Sequence, residues 1–244
     1  MVPAAPTGYT RWVPDLQQTP EARVAVRGSA GVLIAGAASL VGVLVLLAAE
    51  GRWEPVENLD TGVAGSLHDA VRDHPSAVRA LDVIAQVCGP AVFRVTVAVV
   101  AVVLWTRGWR RLAAWCLATV TFGGIVGVAM KYAVARARPV LPDPVAVAPG
   151  YSFPSGHALT SALCCGILLV AAAVTHTYAR QVAALSVVLV AVTGLDRVAL
   201  GVHFVSDVLA GWFTAGAIVL GGLAAVRLDR LRFRRRSAVG TTAA

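Results

Sequence analysis

Charge is what this sequence of 244 residues lacks. Asp, Glu, Lys and Arg make up 14% of it, against roughly 25% in soluble globular chains. Lysine is almost missing: of the 21 basic residues, only Lys131 is a lysine. Cysteine is scarce too. Cys88, Cys116, Cys164 and Cys165 all sit in apolar stretches, with no C-x-x-C or Cys/His ligand spacing. That excludes a zinc site and a disulfide framework, and leaves the thiols as small apolar packing groups. What the chain has instead is hydrophobic residues, 57% of the total, with a mean hydropathy of +0.73. So few charges cannot cover such a core in water. The soluble, disordered and fibrous classes fall away, and an integral membrane protein remains.

A helix needs about 20 apolar residues to cross the bilayer. Six segments qualify, roughly 30–49, 88–105, 112–131, 156–175, 182–199 and 204–225. The expected fold is therefore all-α, a six-transmembrane-helix bundle. Residues 1–29 form an N-terminal segment, 30–226 the bundle with a long outer loop at 50–87, and 227–244 a basic tail. The polar lead before the first run holds four of the twelve prolines and is longer than a signal peptide's, so the first run reads as a retained helix.

Orientation follows the basic residues. With the N-terminus inside, the cytoplasmic pieces hold thirteen basic and three acidic residues, and the rest of the chain holds eight and ten. Both termini are expected in the cytoplasm. The Arg-rich tail then anchors the topology beside anionic lipid, and no nucleic-acid partner is implied. Loop 50–87 is weakly amphipathic through Val63, Leu67, Ala70, Val71, Val78 and Leu81, which predicts one or two interfacial helices. Loop 139–155 carries Pro139, Pro142, Pro144, Pro149 and Pro154, so it is expected to be fixed and extended.

Three polar groups fall at the outer ends of spans three to six. In the first, Lys131 and Arg138 lie seven residues apart before Pro139. If the helix continues to Pro139, the two cations stack on nearly one face and can grip a multivalent anion. Arg136 would point elsewhere and reads as a snorkelling cation. The second group is Pro154-Ser155-Gly156-His157 at the entry to span four. Ser155 suits an N-cap, and Gly156 lets an anion approach the free N–H groups of a helix start. In the third group Arg197 precedes His203 and Asp207, which are spaced i, i+4 and are expected to share a helix face. Asp207 can then hold the Nδ1 proton of His203 and leave Nε2 as a nucleophile. Ionisable residues inside apolar spans are functional by default.

The patterns Lys131-x6-Arg138-Pro139, Pro154-Ser155-Gly156-His157 and Arg197-x5-His203-x3-Asp207 resemble the three signature motifs of the type 2 phosphatidic acid phosphatase (PAP2) superfamily in content, order and placement. The resemblance covers about residues 88–225. It implies a membrane lipid phosphatase whose site lies at the extracytoplasmic ends of spans three to six. His203 would attack phosphorus and form a phosphohistidine, Asp207 would orient it, and His157 would protonate the leaving alkoxide. Lys131, Arg138, Ser155, Gly156 and Arg197 would bind the phosphate, without metal or cofactor. The implied partners are the bilayer and a lipid phosphate of the phosphatidic acid, phosphatidylglycerophosphate or undecaprenyl diphosphate class.

One position departs from the pattern. Asp196 stands where the family commonly has Ser before the Arg, and it either repels phosphate or pairs with Arg197. Arg94, inside span two, is either a snorkelling residue or a contact to a second phosphate. Two other readings remain at this stage: a lipid-binding or transport protein without catalysis, and a vanadate-dependent haloperoxidase-like enzyme, whose known members are soluble.

Overall fold

The computed structural model describes residues 32–44, 46 and 53–226; the expected segments 1–29 and 227–244 and the flanks of the first span lie outside the described residues. Within the described residues the regular structure is all helical. Helix α1 runs over Val32–Leu44. It is followed by α2 (Glu54–Arg72), α3 (Pro75–Val87), α4 (Pro90–Thr106), α5 (Arg110–Val134), α6 (Gly156–Thr175), α7 (Ala179–Ala199) and α8 (Val205–Val226).

Proline marks the helix starts in the first half. Helices α2, α3 and α4 each carry Pro in the first turn, where the missing N–H breaks no helical bond. Pro75 and Pro90 therefore divide a stretch that would otherwise run on, and the region expected as an outer loop holds two helices, α2 and α3. Five stretches are long and apolar enough to span a bilayer: Pro75–Thr106, which joins α3 and α4, and helices α5 to α8. The expectation was six. The first span is shorter than this within its described residues, so five is the count among them.

Helix α6 is the centre of the bundle. It packs against α4, α5, α7 and α8, and its buried residues point in every direction around its axis. Such a helix has to be apolar all round. The surrounding helices invert the soluble pattern. Val95, Val99 and Val102 of α4, Phe122 and Ile125 of α5, and Leu185 and Val187 of α7 all lie exposed. An apolar surface this extensive suits lipid, not water. Between α4, α6 and α7 runs a cavity of about 880 Å³, lined by Val87, Phe93, Val100, Leu104, Leu168 and Leu189 among others.

The α6–α8 contact is the most extensive in the bundle among the described residues. A Cβ built on Gly211 would stand 2.8 Å from the Leu159 nitrogen and 3.0 Å from the Ser155 carbonyl oxygen. Those are backbone atoms, which cannot swing aside, so only glycine lets α8 seat on the start of α6. Gly211→Ala is expected to destabilise the protein by about 1–3 kcal/mol through overpacking. The measurement is the thermal midpoint of detergent-purified protein. A midpoint equal to that of the unsubstituted chain would show that the helices have room to part.

Candidate active site

Helices α5 to α8 run alternately up and down, so the C-terminal ends of α5 and α7 meet the N-terminal ends of α6 and α8. The residues of the three motifs converge there. His203 sits in the short turn between α7 and α8, not on α8, which begins at Val205. Gly201 makes that turn possible with φ +68°, a left-handed conformation open to glycine. A shared helix face therefore does not bring His203 and Asp207 together. The turn does: His203 Nδ1 lies 3.3 Å from Asp207 Oδ2, and the same oxygen accepts the Phe204 N–H at 2.9 Å.

The partners of the imidazole fix its tautomer. Nε2 is 3.1 Å from a guanidinium nitrogen of Arg138, which can only donate. Nε2 is therefore the acceptor, and Nδ1 carries its proton toward Asp207. His203 is buried, and burial draws its pKa below the usual histidine value. Asp207 pulls the other way, while Arg138 and Lys131 add to the depression. The result is a neutral ring whose lone pair faces a cation.

Lys131 and Arg138 meet by a different route from the expected one. Helix α5 stops at Val134, and Ala135 turns left-handed at φ 50°, so the two cations do not stack on a continued helix, and Pro139 does not end it. The extended loop 135–155 folds back instead. Lys131 Nζ and Arg138 both donate to the Tyr151 carbonyl, at 2.7 and 3.2 Å. Arg138 also holds the carbonyls of Pro149, Gly150 and Val202 at 2.6–3.0 Å. Burial and the nearby Arg197 draw the Arg138 pKa down, and Asp207 opposes them. Even so, a guanidinium stays charged in a protein.

At the start of α6, the buried Ser155 caps the helix by accepting from the Ala158 N–H, and its own N–H donates to the Asp207 carbonyl at 3.0 Å. A side chain on Gly156 would meet only Lys131 Cε, at 3.9 Å, so the helix N-terminus stays open beneath the lysine. The His157 ring lies beside the Ala85 carbonyl of α3 and within electrostatic reach of Arg197, His203 and Arg138. This end of the bundle thus gathers Lys131, Arg138 and Arg197, a helix N-terminus and an imidazole whose unprotonated Nε2 faces a cation. That set can hold a tetrahedral oxyanion beside a nucleophile.

Arg94 is not part of this group; its guanidinium lies against α5 near Gly124, about two turns from Lys131. Arg136, read from sequence as a snorkelling cation, is instead bound on two sides. It donates to Asp207 Oδ1 and Asp60 Oδ2, both at 2.9 Å, and its guanidinium lies 4.2 Å from the centre of the Phe204 ring. The end of α5 at Val134 is what frees it to turn inward. Ser152, Asp60 and His68 were also missed. The Ser152 hydroxyl donates to Asp207 Oδ2, and His68 Nε2 holds the Pro142 carbonyl at 2.8 Å. The signal for two of them was present: Asp60, Val63, Ala64, Leu67, His68 and Val71 form one helical stripe, and two of its members are ionisable.

Residues 111–230, the segment carrying all three motifs, match the PAP2 superfamily. A solved structure has the same fold: the crystal structure of the first transmembrane PAP2 type phosphatidylglycerolphosphate phosphatase from Bacillus subtilis. It superposes with a TM-score of 0.70 at 21% identity, covering 82% of this chain and 98% of that one. No curated protein matches the chain by sequence.

The structure decides between the two readings of Asp196. Its Oδ2 accepts from Arg197 Nε at 2.8 Å and from a terminal guanidinium nitrogen as well, so the acid pairs with the arginine. Its Oδ1 is buried without a hydrogen-bond partner among the described residues. The pair fixes Arg197 while cancelling much of its charge. Asp196→Asn keeps an acceptor and releases that charge, so it is expected to tighten inorganic phosphate or vanadate binding by about three- to tenfold. Thermal stabilisation of the protein by either anion is the readout. Binding unchanged or weaker in this variant would mean that orientation matters more than charge.

Proposed function

We propose that this chain is a membrane lipid phosphatase that hydrolyses a lipid phosphomonoester or diphosphate through a phosphohistidine. The superfamily match and the shared fold support a phosphatase, and the apolar helices support a substrate that stays in the bilayer. The observation that carries the mechanism is the imidazole of His203, with its proton directed to Asp207 and its lone pair toward Arg138.

Lys131, Arg138 and Arg197 receive the phosphate oxygens, together with the open N-terminus of α6. Ser155 braces that terminus. His203 Nε2 attacks phosphorus in line, and an N–P bond forms as the bond to the lipid oxygen breaks. His157 hands its proton to the departing alkoxide, and the incoming phosphate dianion supplies the opposing charge that lets this ring hold a proton beside Arg197. A water then attacks phosphorus as His157 takes its proton back. The N–P bond breaks, and inorganic phosphate leaves. The cations stabilise charge that spreads over the equatorial oxygens, so the chemistry asks for no metal. The cavity beside α6 is lined in part by Val87 and Cys88, close in sequence to Ala85 beside His157, and so offers the lipid tail an apolar path.

In this reading the bundle spans the bilayer six times with residues 1–29 and 227–244 in the cytoplasm. The site then faces the extracytoplasmic side, where loop 50–87 covers it. The lipids to test are phosphatidic acid, phosphatidylglycerophosphate and undecaprenyl diphosphate. A transport protein has no need of an imidazole oriented by a buried carboxylate, and the His203–Asp207 pair favours the catalytic reading.

Detergent-purified protein is expected to release phosphate from one of these lipids in the presence of EDTA. His203→Ala is expected to lower kcat by at least about a thousandfold, as loss of a nucleophile does. A strict divalent-metal requirement, or wild-type turnover in His203→Ala, overturns the mechanism. The pH profile is a separate check. The depressed pKa keeps His203 neutral below its ordinary value of about 6.5. The acid limb of kcat/KM should therefore fall below that value, with rate lost as falling pH protonates the ring. An acid limb at or above 6.5 would assign the rate to another group.

A further inference from the structure

We infer that Asp60 of α2 is a positioning residue for this reaction, acting through Arg136 on the carboxylate that orients His203. The inference rests on the phosphatase reading above and names a part of the site outside the segment that matches the superfamily.

Asp60 lies 146 residues from Ser206 in sequence, yet both of its carboxylate oxygens are committed at the start of α8. Oδ1 accepts the Ser206 N–H at 2.9 Å, and Oδ2 accepts the Ser206 hydroxyl and a guanidinium nitrogen of Arg136. The other terminal nitrogen of Arg136 donates to Asp207 Oδ1 at 2.9 Å and to the Ser206 hydroxyl oxygen at 2.7 Å. Asp207 Oδ2 is left for Ser152, the Phe204 N–H and His203. Asp60 is 1% exposed and Asp207 not at all, so the bridge is shielded from water, where charge–charge coupling is strongest. Phe204, the residue next to His203, lies against the guanidinium, with its ring centre 4.2 Å away.

The chain of contacts has a chemical consequence. Two carboxylates share the charge of Arg136. Without the negative charge of Asp60, the arginine draws more strongly on Asp207. Asp207 then supports a proton on His203 less well, and the imidazole becomes a weaker base and nucleophile. The other charged and titratable groups around His203 are unchanged: Arg138 from the loop, Lys131 from α5, and His157 from α6 with Arg197 of α7 beside it.

The test compares wild type with Asp60→Asn in detergent, after size exclusion and thermal melting confirm the fold. The expected result is a kcat about ten- to a hundredfold lower with KM within about twofold. The acid limb should also move to lower pH by a few tenths of a unit to one unit. A purely structural role lowers the yield of folded protein and leaves the acid limb in place. Arg136→Lys keeps the charge but cannot bridge both acids, and is expected to lose at least about tenfold in kcat. Folded Asp60→Asn with wild-type kcat and acid limb overturns the inference. So does wild-type kcat in Arg136→Lys, which is the deciding variant if Asp60→Asn does not fold. Titration of the His203 ring by NMR with labelled histidine reads the same coupling without turnover. A wild type that releases no phosphate would sink the phosphatase reading, while a shift of this titration to lower pH in Asp60→Asn would still sustain the link from Asp60 to His203.

Discussion

The carboxylate of Asp207 is the point on which this end of the bundle depends. It accepts from Arg136, Ser152, the Phe204 N–H and His203, while its backbone carbonyl accepts from the Ser155 N–H. One residue thus ties together the start of α8, the turn holding the imidazole, the α5–α6 loop and the start of α6. A buried carboxylate is costly unless donors surround it. Meeting that need fixes the positions of the very elements that carry the site. Gly211, one turn further along α8, allows the close approach that keeps the Ser155–Asp207 bond short.

The four arginines and lysines at this end divide by what they rest on. Arg136 and Arg197 are held by carboxylates and are largely neutralised where they stand. Lys131 and Arg138 rest on neutral carbonyl oxygens of the loop around Gly150 and of Val202. A carbonyl satisfies a cation's hydrogens without cancelling its charge. Exchanging such a contact for a phosphate oxygen therefore gains a charge-assisted bond. Arg136, held by a carboxylate on each side, would have to give up an ion pair to do the same, while Arg197 meets an anion with much of its charge already cancelled by Asp196. This separates cations that build the site from cations that bind, a distinction hidden when all are counted as positive charge.

Much of the fold was legible in the sequence because it rests on local patterns. The runs of apolar residues located α4 to α8 to within a few residues, and prolines at 139–155 announced the extended loop. The three motifs named residues that do meet in space. What failed depended on where a helix stops. Stacking Lys131 over Arg138, and pointing Arg136 away, both assumed that α5 runs on to Pro139. The left-handed Ala135 ends it four residues earlier, and an alanine gives no local cue for that turn. The same holds for His203, which pairs with Asp207 from a turn. Spacing of i, i+4 gave the right partner for the wrong reason.

Asp60 and His68 were hidden by a different cause. A weakly amphipathic loop in a membrane protein invites the reading that its apolar stripe faces lipid headgroups. In α2 that stripe faces the protein, and its ionisable members are the most deeply buried side chains on it apart from Ala64. A helix lying on the bilayer surface would turn Asp60 and His68 toward water. A helix that closes over a polar site has reason to bury them, because the site supplies their partners: Arg136 and Ser206 for one, the Pro142 carbonyl for the other. An ionisable residue within an apolar stripe beside a membrane is thus evidence about what the helix covers. Here it points to the loop carrying Arg136 and Arg138 and to the first turn of α8, where Asp207 holds His203.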